Sequence, residues 1–147
     1  MPRLKPKLWQ CPTCRRRFAN KNQSHFCSNV TLGAHFKGKP PETRALFNAF
    51  LAAIRVHGPV KVLPEKTRIA FQTRMSFAAV MTRRGYLRGH LVLASRCESP
   101  CFVSIQTISP RNHVHAFVLS DVAQLRGDFA RFIAAACRVG RQEHLGS

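Results

Sequence analysis

Four residues near the amino terminus have the types and the spacing of a zinc site. Cys11 and Cys14 enclose two residues, and His25 and Cys27 follow in the same segment. Structural zinc is held by four cysteine or histidine ligands in a tetrahedron, and two thiolates at this spacing come from one tight turn. The metal also supplies folding free energy that so short a segment does not obtain from a core of its own. We therefore predict a structural Zn²⁺ bound by Cys11, Cys14, His25 and Cys27.

The residues around this cysteine pair resemble the first half of the common DNA-binding zinc finger, in which aromatic side chains such as Trp9 and Phe18 pack beside the metal. The second half departs from that pattern, because Cys27 takes the place of the first histidine and the expected second histidine is missing. His35 is an alternative to His25 as the fourth ligand, and free or disulfide-linked cysteines are the alternative to zinc. The departure argues against a recognition helix that reads base edges. It favours a zinc-held knob that presents basic side chains to phosphates.

The remaining cysteines are not predicted to bind a metal. Cys97 and Cys101 flank a short loop without recognisable partner ligands, so we interpret them as two ordinary thiols. Cys137 lies among alanines in a predicted helix, and free cysteine is one of the residue types most often buried in a core.

The charge of the chain points to a polyanionic partner. The sequence has 24 Lys and Arg against 6 Asp and Glu, which gives a net charge of +18 and a pI of about 11.4. Such a field favours nucleic acid ahead of anionic membranes. Six carboxylates are too few for a protein built on carboxylate-held metals or on acid/base carboxylate pairs. We predict that the phosphate contacts come from the zinc module and from strand hairpins, through Arg15, Arg16, Arg17, Lys21, Arg68, Arg74, Arg83, Arg84 and Arg88.

The hydrophobic pattern predicts an α+β domain after this module. Apolar residues at helical spacing predict a helix over 41–57 and a second one that Ser120 caps and that ends near Gly140, whereas the period is two from residue 60 to 119. We expect a two-layer sandwich of an antiparallel meander sheet flanked by an N-terminal and a C-terminal helix. The predicted domains are 1–36, a basic arm with the zinc-finger-like module, and 41–140.

Strand alternation predicts which residues lie on the face of the sheet away from the helices. The other face carries a mixture of cationic, amide, imidazole and aromatic groups if the residues that face the helices are Ile69, Leu87, Leu91, Leu93, Val103 and Ile105. Such a face could bind phosphate and stack a base or a sugar, or it could be an ordinary solvated surface. Its predicted members are Arg68, Gln72, Tyr86, Arg88, His90 and Gln106, with His113 and His115.

These histidines leave two further hypotheses open besides nucleic-acid binding. His90, His113 and His115 could form one site, with Arg88 holding an anion, in a small-molecule-binding or enzymatic domain. No nucleophile, oxyanion motif or phosphate-cradling glycine loop accompanies them, so we favour a protein that is not an enzyme. The other hypothesis is a regulatory module whose basic surface meets an acidic protein partner.

Five stretches of the sequence resemble a known bacterial family, domain of unknown function 5655, in the variety with a zinc-finger-like N-terminus. They are Trp9–Cys14, Asn22–Cys27, His35–Pro41, Lys66–Phe71 and Ile108–His115. The resemblance implies a zinc module made from Cys11, Cys14, Cys27 and a histidine, followed by one α+β domain. It implies no activity. Relatives attached to restriction-type nuclease or other DNA-associated modules imply a nucleic-acid setting.

The hydropathy of the chain predicts no membrane association. No segment reaches the roughly 18 apolar residues that a membrane span needs, and the basic start lacks the apolar core of a signal peptide. We therefore expect a cytoplasmic, non-enzymatic, zinc-containing protein that binds DNA or RNA with little sequence specificity.

Overall fold

The computed structural model of the protein describes residues 7–12, 15–22 and 30–143. Within these ranges the chain forms eight strands, two α-helices, and 3-10 turns at Gly33–Phe36 and Val122–Leu125. The helices are α1 (Pro41–Arg55) and α2 (Asp128–Gly140). The strands are β1 (Trp9–Gln10), β2 (Arg17–Phe18), β3 (Lys61–Pro64), β4 (Ile69–Gln72), β5 (Ser76–Arg83), β6 (Tyr86–Leu93), β7 (Ser104–Ser109) and β8 (Asn112–Leu119).

The predicted α+β class is confirmed. Strands β3 to β8 form one antiparallel sheet in the order β3-β4-β5-β6-β8-β7, and β1 pairs with β2 in a separate small hairpin. The sheet is a simple meander only as far as β6. The loop over residues 94–103 carries β7 to the edge, and β8 then returns between β7 and β6. β6 and β8 therefore both lie inside the sheet, and each is paired on both sides.

Both helices pack on one face of the sheet, which we call the helix face. The apolar stripe of α1 buries Phe50, whose ring lies 5.3 Å from that of Phe71 on β4 and 5.5 Å from that of Phe117 on β8. Phe129 of α2 also packs against Phe117, with ring centroids 5.0 Å apart. A continuous layer of aromatic rings thus joins the two helices to the centre of the sheet.

A glycine in β6 lets this ring layer approach the backbone closely. A Cβ atom on Gly89 would lie 2.6 Å from Cζ of Phe117 and 2.7 Å from the carbonyl oxygen of Ala79. Both distances are shorter than real Cβ contacts, so a side chain here would push the ring layer away from the strand. The neighbours of Gly89 in the sequence, Arg88 and His90, point to the opposite face.

The second helix is shorter than the sequence predicted. Asp121, rather than Ser120, caps a 3-10 turn, with its carboxylate accepting from the backbone N–H of Ala123. The chain then reaches Gly127, whose φ of 64° is the left-handed conformation that interrupts a helix. α2 therefore starts only at Asp128.

Candidate nucleic-acid interface

The face of the sheet away from the helices, which we call the outer face, is built from alternate residues of β5 and β6. On β6, Leu87 and Leu91 are buried on the helix face, which puts Tyr86, Arg88 and His90 on the outer face. This arrangement agrees with the sequence analysis.

The outer-face residues of β5 were not identified in the sequence. Cross-strand pairing places Met81 opposite Arg88 and Ala79 opposite His90. A register shift between Phe71 and Gln72 precedes β5, and sequence periodicity alone does not show it.

The prediction that His113 and His115 share this face was wrong. Their partners across the strand pair are Leu93 and Leu91, which are core residues of the helix face. The ring of His115 also packs 4.7 Å from that of Phe102 in the 94–103 loop. His90 and the other two histidines therefore lie on opposite sides of the sheet, and the three-histidine site is not formed.

Both buried histidines use their ring nitrogens for structure. His115 donates from Nδ1 to the carbonyl oxygen of His113 over 2.8 Å, and its Nε2 accepts from the backbone N–H of Cys97 over 2.9 Å. Burial is the main cause that lowers the pKa of His115 below 6.5. His113 is held by the Thr107 hydroxyl at Nδ1 and the Pro110 carbonyl oxygen at Nε2, at 2.9 and 3.0 Å. These side chains fix the β7–β8 hairpin and the loop before it.

The structure brings three predicted residues, Arg68, Arg88 and His90, into one groove of about 340 Å³. Arg68 stands just before β4 and forms one wall, and Arg88 and His90 stand on β6 two strands away. The small side chain of Ala79 leaves the space between them. The full lining is Thr67, Arg68, Ala79, Val80, Met81, Arg88, Gly89 and His90.

The histidine of this groove is neutral at physiological pH. Burial, and next to it the positive charge of Arg68, lower the pKa of His90 to about 4. A neutral imidazole presents one donor, one acceptor and a flat aromatic surface. The two arginines therefore supply the charge of the groove, and His90 supplies a planar and uncharged wall.

The β1–β2 hairpin is attached beside this groove. The side chain of Gln72, which is buried and follows the helix-face residue Phe71, donates from Nε2 to the carbonyl oxygen of Arg17. Arg16 donates to the carbonyl oxygen of Pro64 over 3.2 Å and forms an ion pair with Glu65, with N and O 3.5 Å apart. Since alternation places Gln72 on the outer face, the hairpin lies on the same side of the molecule as the groove.

Glu65 links the hairpin to the groove and was not identified by the sequence analysis. Its carboxylate pairs with Arg16 through one oxygen and with Arg68, 2.8 Å away, through the other. Arg16 is only 11% exposed, so this predicted phosphate contact is largely occupied in holding the hairpin to the sheet. Arg68 remains about half exposed. The only signal in the sequence is that Glu65 is isolated in a long basic stretch.

The other predicted contacts fall into two groups. Exposed side chains belong to Arg15, Arg17 and Lys21 of the hairpin, to Arg83 and Arg84 at the β5–β6 turn, and to Arg88. Arg84 donates to the carbonyl oxygen of Gly38 over 2.7 Å, and Arg83 donates to that of Thr82. Arg74 is half-buried and donates to the side chain of Gln142, just after α2, so it does not line the groove.

One predicted zinc ligand, Cys11, lies within the described residues. Cys11 is buried and begins a tight turn, in which its N–H donates to the carbonyl oxygen of Arg16 and its carbonyl oxygen accepts from the N–H of Arg15, each over 2.8 Å. Arg15 has a φ of 63°, so the turn is closed by a left-handed residue. The rings of Trp9 and Phe18 are 6.1 Å apart beside it. Cys14, His25 and Cys27 lie outside the described residues.

His35, the alternative fourth ligand, belongs to the α+β domain. It is buried, its Nε2 lies 2.7 Å from the carbonyl oxygen of Glu65, and its own carbonyl oxygen accepts from the Thr82 hydroxyl 2.5 Å away. Leu32 and Phe36 on either side of it pack against the core. Among residues 7–12, 15–22 and 30–143, no three histidine, cysteine or acidic side chains cluster as metal ligands.

The cysteines of the domain are thiols without a disulfide. Cys137 on α2 is buried, and burial raises its pKa to about 11, as expected for a core residue. Cys97 and Cys101 are half-buried in the 94–103 loop and pack against the core.

A comparison with protein-family models identifies the domain. The model described as Domain of unknown function (DUF5655) matches residues 32–139. The chain belongs to this family. The match includes His35 and starts before Pro41, in agreement with the packing of Leu32 and Phe36, whereas the β1–β2 hairpin and the predicted zinc ligands lie outside it.

Two further comparisons were made for this member of the DUF5655 family. A search of curated proteins and a search of solved structures each found no match. No helix in the described part of the chain has the length and apolar character to cross a membrane.

Proposed function

We propose that this DUF5655 protein is a small, non-enzymatic, zinc-containing protein that binds nucleic acid mainly through its phosphates. The observation that supports the proposal is the joint placement of the hairpin and the groove on one side of the sheet. The hairpin carries the exposed Arg15, Arg17 and Lys21, and the groove carries Arg68 and Arg88. Glu65 connects the hairpin to the groove through its ion pairs with Arg16 and Arg68. A row of cations of this kind suits a polyanion that extends across several strands.

The distribution of carboxylates strengthens this argument. The other ion pairs formed by the described residues involve Glu98, Asp128 and Glu143, in the 94–103 loop, on α2 and just after α2. Asp121 caps a 3-10 turn, and Glu42 lies in the first turn of α1. The positive potential of the outer face is therefore opposed mainly by Glu65, which is itself only 12% exposed.

The proposed zinc would hold the hairpin that carries part of this surface. β1 and β2 have two residues each, which is too little for a hairpin to be stable alone. The buried Cys11 at the start of a tight turn suits one thiolate of a zinc site. We propose Cys14, His25 and Cys27 as the other ligands, on the spacing of the sequence.

The test of nucleic-acid binding is a titration of short labelled DNA and RNA at increasing salt. We expect binding at low salt, and an affinity that falls by at least about tenfold between roughly 50 and 200 mM salt, because counterions are released from the phosphates. Different sequences of equal length should bind with similar affinity. Absence of binding to both DNA and RNA at low salt would overturn the proposal.

The zinc is tested by metal analysis of the purified protein. We expect one zinc per chain in the native protein and its loss in Cys11→Ser and Cys14→Ser. Cys97→Ser is the matched control, because this thiol lies in the 94–103 loop and is not a proposed ligand; it should keep the zinc. Equal metal content in all four proteins would contradict the ligand assignment.

A further inference from the structure

The outer face of β6 carries three planar side chains in one row, and we infer that this row, formed by Tyr86, Arg88 and His90, binds the unpaired bases of single-stranded nucleic acid. The inference rests on the proposed function and makes it more specific, because it selects single strands over duplexes. Phenol, guanidinium and imidazole groups are the planar surfaces on which proteins stack exposed bases.

The spacing of the row favours an extended strand. Alternate residues of a β-strand are about 6.8 Å apart, twice the rise per residue. Nucleotides that remain stacked in a helix follow each other at about 3.4 Å along the strand. A nucleic acid that places successive bases along β6 must therefore be unstacked and extended, which paired bases in a duplex do not permit.

The exposure of the row leaves its members available to a ligand. Tyr86 and His90 are half-buried, and Arg88 is exposed. Within the described part of the chain, the side chains of these three residues form no hydrogen bond or ion pair. Arg68, by contrast, is anchored by Glu65 at 2.8 Å.

The groove beside the row provides space for a base. Ala79 lies opposite His90, and Met81 lies opposite Arg88. These two residues of β5 form an apolar floor between Arg68 on one side of the groove and Arg88 and His90 on the other. A base inserted there would contact the ring of His90 and the thioether of Met81. Arg68, on the other side of the groove from the row, would hold a neighbouring phosphate.

The neutral state of His90 fits stacking better than phosphate binding. Burial and the charge of Arg68 lower its pKa to about 4, so it adds no positive charge at neutral pH. The charged groups that line the groove with His90 are Arg68, just before β4, and Arg88, on its own strand. Loss of the His90 ring should therefore weaken base contacts and leave the attraction for a bare polyanion unchanged.

The experiment compares three probes by fluorescence anisotropy and competition: a single-stranded oligonucleotide of mixed sequence, the duplex of the same sequence, and inorganic polyphosphate, which has no bases. We expect the native protein to bind the single strand about tenfold more tightly than the duplex. Tyr86→Leu and His90→Leu should each weaken single-strand binding by about fivefold or more, with polyphosphate competition unchanged. His57→Leu, an exposed histidine after α1, is the matched control and should bind as the native protein does.

The outcomes separate this inference from the proposed function. Equal affinity for single strand and duplex, with no effect of Tyr86→Leu and His90→Leu, would overturn the inference and leave phosphate-directed binding standing. Loss of polyphosphate and oligonucleotide binding together in these variants would also overturn it, because stacking does not act on polyphosphate. Absence of binding to any nucleic acid would remove the proposed function and the inference with it. Denaturation curves for each variant exclude misfolding as the cause.

Discussion

The two faces of the six-stranded sheet place histidine in opposite roles. On the helix face, His115 is buried, and both of its ring nitrogens bond to backbone groups. On the outer face, His90 lines an open groove with two arginines and forms no hydrogen bond within the described residues. Burial lowers the pKa of both rings, so the direction of the pKa alone does not separate them. Their hydrogen bonds do separate them. Both ring nitrogens of His115 are used in holding the fold together, whereas those of His90 can still bond to a ligand.

The largest expected difference between the two faces is the loss of stability when a side chain is truncated to alanine. Phe117→Ala removes a buried ring that contacts Phe50 and Phe129, so the free energy of unfolding should fall by about 3–5 kcal/mol. Arg88→Ala, on the outer face, should stay within about 0.5 kcal/mol of the native protein. Urea denaturation followed by circular dichroism measures both. Similar losses in the two variants would mean that the outer face is part of the core.

Glu65 provides a test in which stability and binding change in opposite directions. Glu65→Gln removes the ion pair between Glu65 and the largely buried Arg16, so the free energy of unfolding should fall by about 1–3 kcal/mol. The same change removes the negative charge between the hairpin and the groove, so affinity for polyphosphate should rise. Urea denaturation and anisotropy competition measure the two effects. Glu98→Gln is the control, since its partner Arg96 lies in the 94–103 loop.

A fall in affinity with Glu65→Gln would contradict this account of the surface. It would mean that the position of the hairpin matters more for binding than the charge that Glu65 carries.

The sequence predicted the outer face of β6 correctly because Leu87, Leu91 and Leu93 leave no doubt about which residues are buried. It failed for β8, where every second position from Val114 to Val118 is also apolar. The large side chains of Phe117 and Leu119 could have decided the orientation of β8. They belong in the core, and alternation places them on the same face as the two histidines. The attachment of the hairpin by Arg16 and Glu65, 49 positions apart, has no local signature at all.

The lowered pKa values predict that acid destabilises the protein. The folded-state pKa of His90 is about 4, against 6.5 for the unfolded chain, and that of His115 is also lowered. Below pH 6.5 the unfolded state therefore binds more protons, so stability is fully present above this pH and is lost as the pH falls toward 4. The urea midpoint should fall between pH 7 and pH 5, and His90→Gln should reduce this dependence. An unchanged midpoint over this range would contradict the burial of both rings.

The smallest expected effect is a difference in the rate of thiol labelling between a cysteine in the core and two cysteines in the 94–103 loop. Cys137 is buried with a pKa of about 11, so it should remain unmodified by iodoacetamide in the native protein. Cys97 and Cys101 are half-buried and should react more quickly. Peptide mass spectrometry after timed labelling measures each cysteine separately. Native-state labelling of Cys137 as fast as that of Cys101 would show that α2 does not pack as described.

The most direct test of the central claim compares two double variants with the same loss of charge. Arg68→Gln/Arg88→Gln removes two cations from the groove, and Arg131→Gln/Arg138→Gln removes two from the exposed surface of α2. Affinity for a labelled single-stranded oligonucleotide at low salt should fall by at least about tenfold in the groove variant and by less than about twofold in the helix variant. Equal losses in the two variants, or no loss in the groove variant, would contradict a nucleic-acid interface on the outer face.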